Sequence, residues 1–230
     1  RRNILKVFRE LGEHNGLREL TLTTNGTQLP RFADDLRTAG VSRINISLDT
    51  LRADRYRKLT RTGRIERALH GIDAALAAGF ERIKLNAVIL KHRNHDEVVD
   101  LVDFAIGRGI DISFIEEMPL GYVGDHDRAE CFYSSDQIRQ DLEQQYTLVP
   151  TAETTGGPSR YFRIPGLSTR VGFISPHSHN FCSTCNRVRL TSEGRLLLCL
   201  GQEHSVDLCR VMRGNPGDDG ALKRAILDSM

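Results

Sequence analysis

The chain has no tryptophan, few aromatic residues and no long apolar run, and each absence excludes a class of function. Aromatic residues make up 6% of the 230 residues, so the side chains on which single-stranded nucleic acids stack are scarce. No stretch approaches the roughly 20 apolar residues that cross a membrane. The formal net charge is +2, which argues against a general nucleic-acid coat. We therefore expect neither a nucleic acid nor a membrane as a partner.

Cysteine is also scarce, and its distribution favours metal binding over disulfides. There are five cysteines, an odd number, and three of them lie within 18 residues. A secreted disulfide scaffold would be richer in cysteine and more evenly spaced. We therefore expect a cytoplasmic protein with a metal site. Cys131 and Cys209 have no partner at a useful spacing, and we interpret both as structural.

The first 145 residues alternate between strand-like and helix-like segments. We predict strands at 19–24, 43–49, 82–90 and 110–118, and helices at 30–39, 65–78 and 96–108. Such alternation indicates parallel strands with right-handed crossovers, in either a doubly wound sheet or a (β/α) barrel. In both folds, ligands bind at the carboxyl ends of the strands. The candidate residues at those ends are Thr23, Thr24, Asn25, Ser47, Asp49, Glu116, Glu117 and Met118.

After residue 144 the pattern changes to short segments separated by glycine and proline. Segments 146–152, 160–164 and 170–174 are typical of short antiparallel strands. A hairpin is predicted within 187–200, followed by two short helical stretches. We therefore divide the chain into a βα region, 1–144, and a smaller second region, 145–230.

Cys182, Cys185 and Cys199 follow a C-x2-C-x13-C spacing. A CxxC pair on one tight turn directs two thiolates towards one metal centre. Three thiolates leave a tetrahedral zinc site one ligand short, and His177 or His179 would complete a Cys3His site. The same thiolates would hold a 4Fe–4S cluster with one iron open to a ligand. The spacing alone does not choose between zinc and iron–sulfur.

The register of the predicted hairpin decides where the third thiolate lies. With a three-residue loop that ends at Gly194 in the left-handed conformation, Thr191 pairs with Arg195. Counting back along both strands then places Cys199 opposite Arg187. Because side chains alternate along a strand, one face would carry Cys185, Arg187, Arg189 and Cys199. The two arginines on that face are the best candidates for binding an anion such as phosphate.

Five segments match, in order and spacing, those of a known enzyme family. They are Thr23–Gly26 (TTNG), Asn45–Asp49 (NISLD), Lys84–Val88 (KLNAV), Phe114–Pro119 (FIEEMP) and Phe181–Thr191 (FCSTCNRVRLT). The chain resembles the GTP 3′,8-cyclases of molybdenum cofactor biosynthesis, which are radical S-adenosylmethionine enzymes. Two alternatives are another radical S-adenosylmethionine enzyme with an auxiliary cluster and a non-catalytic Cys3His zinc-binding module.

The resemblance implies an α/β fold built on an incomplete (β/α)6 TIM-like barrel. Strands from about the third onward would be present, in a partial barrel over residues 1–144. Residues 145–230 would form a C-terminal α+β extension that carries the iron–sulfur site and a GTP-binding hairpin.

The resemblance also implies roles for individual residues. An auxiliary 4Fe–4S cluster, whose open iron binds GTP, would be held by Cys182, Cys185 and Cys199. Further GTP contacts would come from Thr23, Lys84, Arg187, Val188 and Arg189. S-adenosylmethionine would be contacted by Ser47 and Met118.

The implied reaction is a radical cyclisation of GTP to (8S)-3′,8-cyclo-7,8-dihydroguanosine 5′-triphosphate. A radical derived from S-adenosylmethionine removes hydrogen from the ribose C3′, and the sugar radical adds to C8 of the guanine. The protein contributes binding and orientation, and the cofactors carry the difficult steps. The expected partners are GTP, S-adenosylmethionine, a reductant such as flavodoxin, the downstream cyclic pyranopterin synthase and a second copy of the chain in a homodimer.

The chain departs from the family pattern at three points. It contains no C-x3-C-x2-C motif for the first cluster and no Gly-Gly-Glu-Pro motif for the methionine amine. Ser113 stands where we expect arginine in most relatives. We expect the chain to be a fragment of a longer protein whose N-terminal segment supplies a second 4Fe–4S cluster. The fragment alone should hold GTP without cyclising it.

Anaerobic reconstitution tests the iron–sulfur interpretation. We expect about four iron atoms per chain and no stoichiometric zinc, because three thiolates with an open position suit a cluster. Replacing Cys182, Cys185 or Cys199 by alanine should abolish the cluster, whereas the control variants Cys131→Ala and Cys209→Ala should retain it. Metal and sulfide analysis that finds one zinc and no sulfide would contradict this interpretation.

Overall fold

Strands and helices alternate through the first part of the chain, as the hydrophobic pattern predicts. The structure is a computed structural model, and it describes residues 3–118, 120–121, 124, 126–201 and 204–230. Its first strands are β1 (Leu20–Thr24), β2 (Val41–Ser47), β3 (Arg82–Val88) and β4 (Asp111–Ile115). The helices before and between them are α1 (Ile4–Gly12), α2 (Leu29–Thr38), α3 (Ala53–Thr60), α4 (Ile65–Ala77) and α5 (Val98–Arg108). The four predicted strands and three predicted helices are confirmed with shifted ends, and α1 and α3 are additional.

Three further strands extend the same sheet. The elements that follow are α6 (Arg128–Cys131), α7 (Ser135–Glu143), β5 (Val149–Pro150), β6 (Arg160–Arg163) and β7 (Arg170–Ile174). The strand order is β1-β2-β3-β4-β7-β6-β5. Strand β7 is antiparallel to β6, as predicted, but it is parallel to β4. The antiparallel arrangement predicted for these three segments is confirmed. The additional parallel pairing of β7 was not predicted, and it arises because the long connection through α7 returns the chain to the amino end of β4.

The described residues fall into two compact units. The first unit contains the described residues up to Met118 and the described residues between 123 and 180. The second unit contains Leu120, Gly121 and the described residues from Phe181 onward. The change of pattern predicted after residue 144 thus marks where parallel strands give way to antiparallel ones within the first unit. No helix among the described residues is long and apolar enough to cross a membrane.

The sheet of the first unit has one apolar and one polar face, because successive side chains alternate along each strand. Ile44 and Ile46 of β2 are fully buried, as are Leu85 and Ala87 of β3. They pack in one core with apolar residues of α2, α4 and α5. The opposite face carries the intervening polar residues, among them Asn45 of β2 and Lys84 and Asn86 of β3.

The second unit contains the predicted hairpin in the predicted register. Its elements are β8 (Arg189–Leu190), β9 (Arg195–Leu197), β10 (Ser205–Asp207), α8 (Leu208–Gly214) and α9 (Asp219–Leu227). Arg189 lies opposite Leu197, and Thr191 N donates to Arg195 O at 2.9 Å. Gly194 has a φ of 82°, so the left-handed loop residue is confirmed. The paired residues begin at Arg189, so the predicted pairing of Arg187 with Cys199 lies beyond the strands.

Helix α4 approaches the turn after β1 at two glycines. Gly26 lies in the turn two residues after β1 and has a φ of 79°, and Gly71 of α4 faces its backbone. A Cβ added to Gly71 would overlap the carbonyl oxygen of Gly26 and lie 2.7 Å from its carbonyl carbon. The close contact therefore depends on the absence of a side chain at position 71.

We expect Gly71→Ala to destabilise the protein even though alanine favours helix. The new methyl group would overlap backbone atoms, which cannot move aside as a flexible side chain can, so the free energy of unfolding should fall by about 1–3 kcal/mol. Gly107→Ala in α5 is the matched control, because nothing lies within 4 Å of its added Cβ. That variant should gain up to about 1 kcal/mol. Urea titrations that show equal stability for the two variants would contradict this account.

Glu116 follows β4 directly and is fully buried. Its carboxylate accepts hydrogen bonds from Ser135 N at 2.8 Å and from the backbone N–H groups of His177 and Ser178, both at 3.0 Å. The Ser178 hydroxyl donates a further bond. Burial by itself would raise the pKa of Glu116, but these hydrogen bonds, led by that of the Ser178 side chain, lower it. One carboxylate thus joins the end of β4 to the start of α7 and to the loop after β7.

Replacing Glu116 by glutamine should remove this stabilisation in a pH-dependent way. A glutamine side chain cannot accept all these bonds, so we expect a loss of about 3 kcal/mol at pH 7. Because the folded pKa is lowered, the contribution of the carboxylate is complete above the ordinary value of 4.5 and is lost as the pH falls through the folded value. The stability difference between wild type and variant should therefore narrow in acid.

Urea titrations at neutral and acidic pH measure this difference. The matched control is Glu143→Gln, since Glu143 makes only an exposed ion pair with Arg139 and such pairs contribute about 1 kcal/mol at most. A Glu116→Gln deficit that stays constant with pH would show that the ionised carboxylate is not the stabilising group.

Candidate functional site

A row of polar side chains crosses the polar face of the first unit's sheet towards the carboxyl ends of its strands. The strand register pairs Thr23 with Asn45 and Asn45 with Lys84. Asn45 Nδ2 donates to Thr23 Oγ1 at 3.4 Å. Two residues further along, Ser47 lies beside Asn86. The structure therefore brings three sequence-predicted residues, Thr23, Lys84 and Ser47, to one face.

Lys84 is the buried cation of this row. Lys84 is 7% exposed, and its Nζ donates a hydrogen bond to the Tyr161 hydroxyl at 3.2 Å. It makes no ion pair with a carboxylate in the part of the chain that the structure describes. A buried charge without a counter-charge is unfavourable, so this position favours an anionic ligand.

Two amide oxygens on the same face also lack a partner. Asn45 Oδ1 and Asn86 Oδ1 are buried, and no donor reaches either of them among the described residues. Asn45 is paired with Lys84 on the neighbouring strand, and Asn86 lies two residues further along β3. Such groups are usually satisfied in a native protein. Sequence reasoning did not assign them. The signal was the alternation of polar residues along β2 and β3, which marks a polar sheet face.

Several residues predicted at the strand ends serve local structure instead. Thr24 and Asn25 accept hydrogen bonds from backbone N–H groups of their own turn, both at 3.2 Å. Asp49 accepts a bond from a backbone N–H at the end of β3, and burial raises its pKa. Glu117 hydrogen-bonds His126 at 2.9 Å. These four residues shape the loops around the polar row.

Ser47 and Met118, expected from the resemblance to contact S-adenosylmethionine, are both exposed. Ser47 is the last residue of β2, and Met118 lies in the segment after β4 with 37% of its surface exposed. Both therefore follow the carboxyl ends of parallel strands, where ligands bind in folds of this class.

The cysteine segment of the second unit forms a short 3-10 turn. Cys182 begins the turn and Cys185 follows its end, and both are exposed. Arg187, and to a lesser extent the charge of Arg189, lowers the pKa of the Cys185 thiol. Arg187 also lies over the Phe181 ring at 5.3 Å. A lowered pKa favours the thiolate, which is the form that binds metal.

Cys199 lies just after β9, and its sulfur accepts a hydrogen bond from Gly201 N at 3.3 Å. No three histidine, cysteine or acidic side chains among the described residues come together closely enough to hold a metal ion.

The two histidines considered as zinc ligands have other partners within the first unit. His179 Nε2 lies 3.2 Å from an oxygen of Asp136. The His177 ring packs against Phe132 with 5.2 Å between the centroids, and its backbone N–H bonds Glu116. The Cys3His alternative is therefore weakened by the contacts that these histidines already make.

Two family models match this chain. Residues 1–105 match the model of the radical SAM superfamily, and residues 110–230 match that of Molybdenum Cofactor Synthesis C. Among solved structures, Streptococcus suis SuiB bound to S-adenosylmethionine is similar in fold, with a TM-score of 0.55 and 17% identity over 95% of this chain and 52% of that one.

Curated relatives match over the whole chain. The GTP 3′,8-cyclase of Pseudomonas entomophila is 61% identical, with 100% of this chain and 69% of the relative covered. The GTP 3′,8-cyclase of Marinobacter nauticus is 56% identical, again with 100% of this chain and 69% of the relative covered. Identity at this level over the full length leaves no other assignment at the level of family: the chain belongs to the GTP 3′,8-cyclase family of radical S-adenosylmethionine enzymes.

Proposed function

We propose that this protein is a GTP 3′,8-cyclase, which converts GTP to (8S)-3′,8-cyclo-7,8-dihydroguanosine 5′-triphosphate in molybdopterin cofactor biosynthesis. The observation that supports this most directly is the position of Arg187 and Arg189 beside the Cys185 thiol. Guanidinium groups next to a metal-binding thiolate suit a ligand that combines phosphates with a group able to bind metal. A purine nucleoside triphosphate has both.

The family resemblance supports the assignment of GTP binding to five residues, which are Thr23, Lys84, Arg187, Val188 and Arg189. In the first unit, Thr23 and the buried ammonium of Lys84 would contact the nucleotide. In the second unit, Arg187 and Arg189 would bind its phosphates, and Val188 lies between them in the same run. The positive charges counter the phosphates without the help of a strongly basic protein, since the chain carries only +2 overall.

The cysteines of the second unit would hold the auxiliary cluster. Cys182, Cys185 and Cys199 supply three thiolates, and the 4Fe–4S cluster, when bound, supplies an open iron that takes the guanine. Cys185 is kept towards its thiolate form by Arg187. S-adenosylmethionine is assigned to Ser47 and Met118, and its reduction is assigned to a second 4Fe–4S cluster.

The sheet fits the partial barrel that the family implies. Strands β1 to β4 would be the third to sixth strands of a (β/α)6 barrel, and β5 to β7 with the second unit would form the C-terminal extension over residues 145–230. A cytoplasmic location, a reductant such as flavodoxin, the downstream cyclic pyranopterin synthase and a homodimer complete the proposal.

Activity is tested in a chimera in which this chain replaces the matching segment of the Pseudomonas entomophila relative. Incubated anaerobically with dithionite, S-adenosylmethionine and GTP, the chimera should release 5′-deoxyadenosine and the cyclised nucleotide. ATP in place of GTP should yield neither product above background. A chimera that loads its clusters, produces 5′-deoxyadenosine and leaves GTP unchanged would instead support a radical enzyme with a different substrate.

The same chimera tests the arginines. Arg187→Ala and Arg189→Ala should each weaken GTP binding by about 1.5–3 kcal/mol, the range for hydrogen bonds to charged groups. Val188→Ala is the comparison variant and should weaken binding less than either arginine change, because Val188 lies between them, is 51% exposed and carries no charge for the phosphates. Anaerobic calorimetry measures the affinities. If Val188→Ala weakened binding more than either arginine change, the assignment of the phosphates to the arginines would be wrong.

A further inference from the structure

Tyr161 of β6 lies across the polar face of the first unit's sheet and reaches Lys84 of β3. Strands β7 and β4 separate these two strands in the sheet. Tyr161 is 2% exposed, and its hydroxyl accepts a hydrogen bond from Lys84 Nζ at 3.2 Å. The contact therefore joins the antiparallel part of the sheet to the row of polar residues.

Small residues on the two intervening strands make room for the tyrosine ring. Gly172 of β7 pairs with Tyr161 on one side and with Ser113 of β4 on the other. A Cβ added to Gly172 would lie 2.9 Å from the Tyr161 ring and 2.5 Å from Ser113 Oγ. Ser113 is fully buried, and its hydroxyl lies 3.0 Å from Ser159 Oγ. Serine at 113, where relatives are expected to carry arginine, thus leaves the volume that the ring fills.

Several groups hold the tyrosine in place. Its hydroxyl lies 3.2 Å from Thr155 Oγ1, and the Arg170 guanidinium lies over its ring at 4.8 Å. Burial by itself would raise the pKa of Tyr161, but the charge of Lys84 and the hydrogen bonds to the hydroxyl lower it. A hydroxyl fixed in this way restricts the positions that the Lys84 ammonium group can take.

We propose that Tyr161 is a positioning residue for Lys84, and that its hydroxyl holds the ammonium group in the direction of an anionic ligand on the polar face. An ammonium group has three hydrogens to donate, and Tyr161 takes one of them. Lys84 has no other hydrogen-bond partner in the described part of the chain. The inference rests on the proposed role of Lys84 in GTP binding, and the ligand groups concerned are the phosphates.

The test compares two ligands on the cluster-loaded chain by anaerobic calorimetry. Tyr161→Phe keeps the ring and removes only the hydroxyl. We expect its affinity for GTP to fall about tenfold, within the range for a hydrogen bond to a charged group, while its affinity for guanosine, which has no phosphates, stays unchanged. Tyr133→Phe is the matched control, because Tyr133 is a buried tyrosine whose hydroxyl bonds Asp141. Neither affinity should change in that variant.

A Lys84→Ala background separates this inference from the proposed function. In that background Tyr161→Phe should have no further effect on GTP affinity, because coupled residues are not additive. If Lys84→Ala itself leaves GTP affinity unchanged, the proposed role of Lys84 fails and the inference fails with it. If Lys84→Ala weakens binding but Tyr161→Phe does not, only the inference is overturned. An equal loss for GTP and guanosine in Tyr161→Phe would show a purely structural role and would also overturn it.

Discussion

The buried carboxylate of Glu116 is the interaction on which the ligand-binding end of the first unit depends. It accepts hydrogen bonds from the start of α7 and from the loop after β7, so three segments far apart in sequence converge on one side chain. Backbone N–H groups buried at this place would otherwise lack acceptors. The same contacts hold β4 and β7 together at their carboxyl ends. A buried charge therefore reinforces the end of the β4–β7 ladder.

The polar face above this anchor contains groups that the protein alone leaves unsatisfied. The Lys84 ammonium has a neutral tyrosine partner, and the amide oxygens of Asn45 and Asn86 have no donor among the described residues. The apolar face of the same strands is packed without such exceptions, with Ile44, Ile46 and Leu85 fully buried. Unsatisfied polar groups gathered on one face of a sheet are typical of a site that a ligand completes. An anion with hydroxyl or amine donors would match this face.

In the second unit, positively charged side chains lie close to the cysteine segment. Arg187 and Arg189 lower the pKa of the Cys185 thiol, and a backbone N–H reaches the Cys199 sulfur. Hydrogen bonds to sulfur and nearby positive charge are among the features that tune an iron–sulfur site. Each unit therefore places positive charge beside a group that would meet substrate or cofactor, although the net charge of the whole chain is small.

Local signals in the sequence are enough to predict the four parallel strands β1 to β4, the helices α2, α4 and α5, the loop at Gly194 and the hairpin register. These features depend on periodicity and turn chemistry within a few residues. The spacing of the cysteines likewise indicates a metal site by itself. Only the tertiary structure decided that β7 lies parallel to β4, that Ser113 and Gly172 leave room for Tyr161, and that His177 and His179 have partners of their own. Each of these is a contact between segments tens of residues apart, which no local pattern encodes.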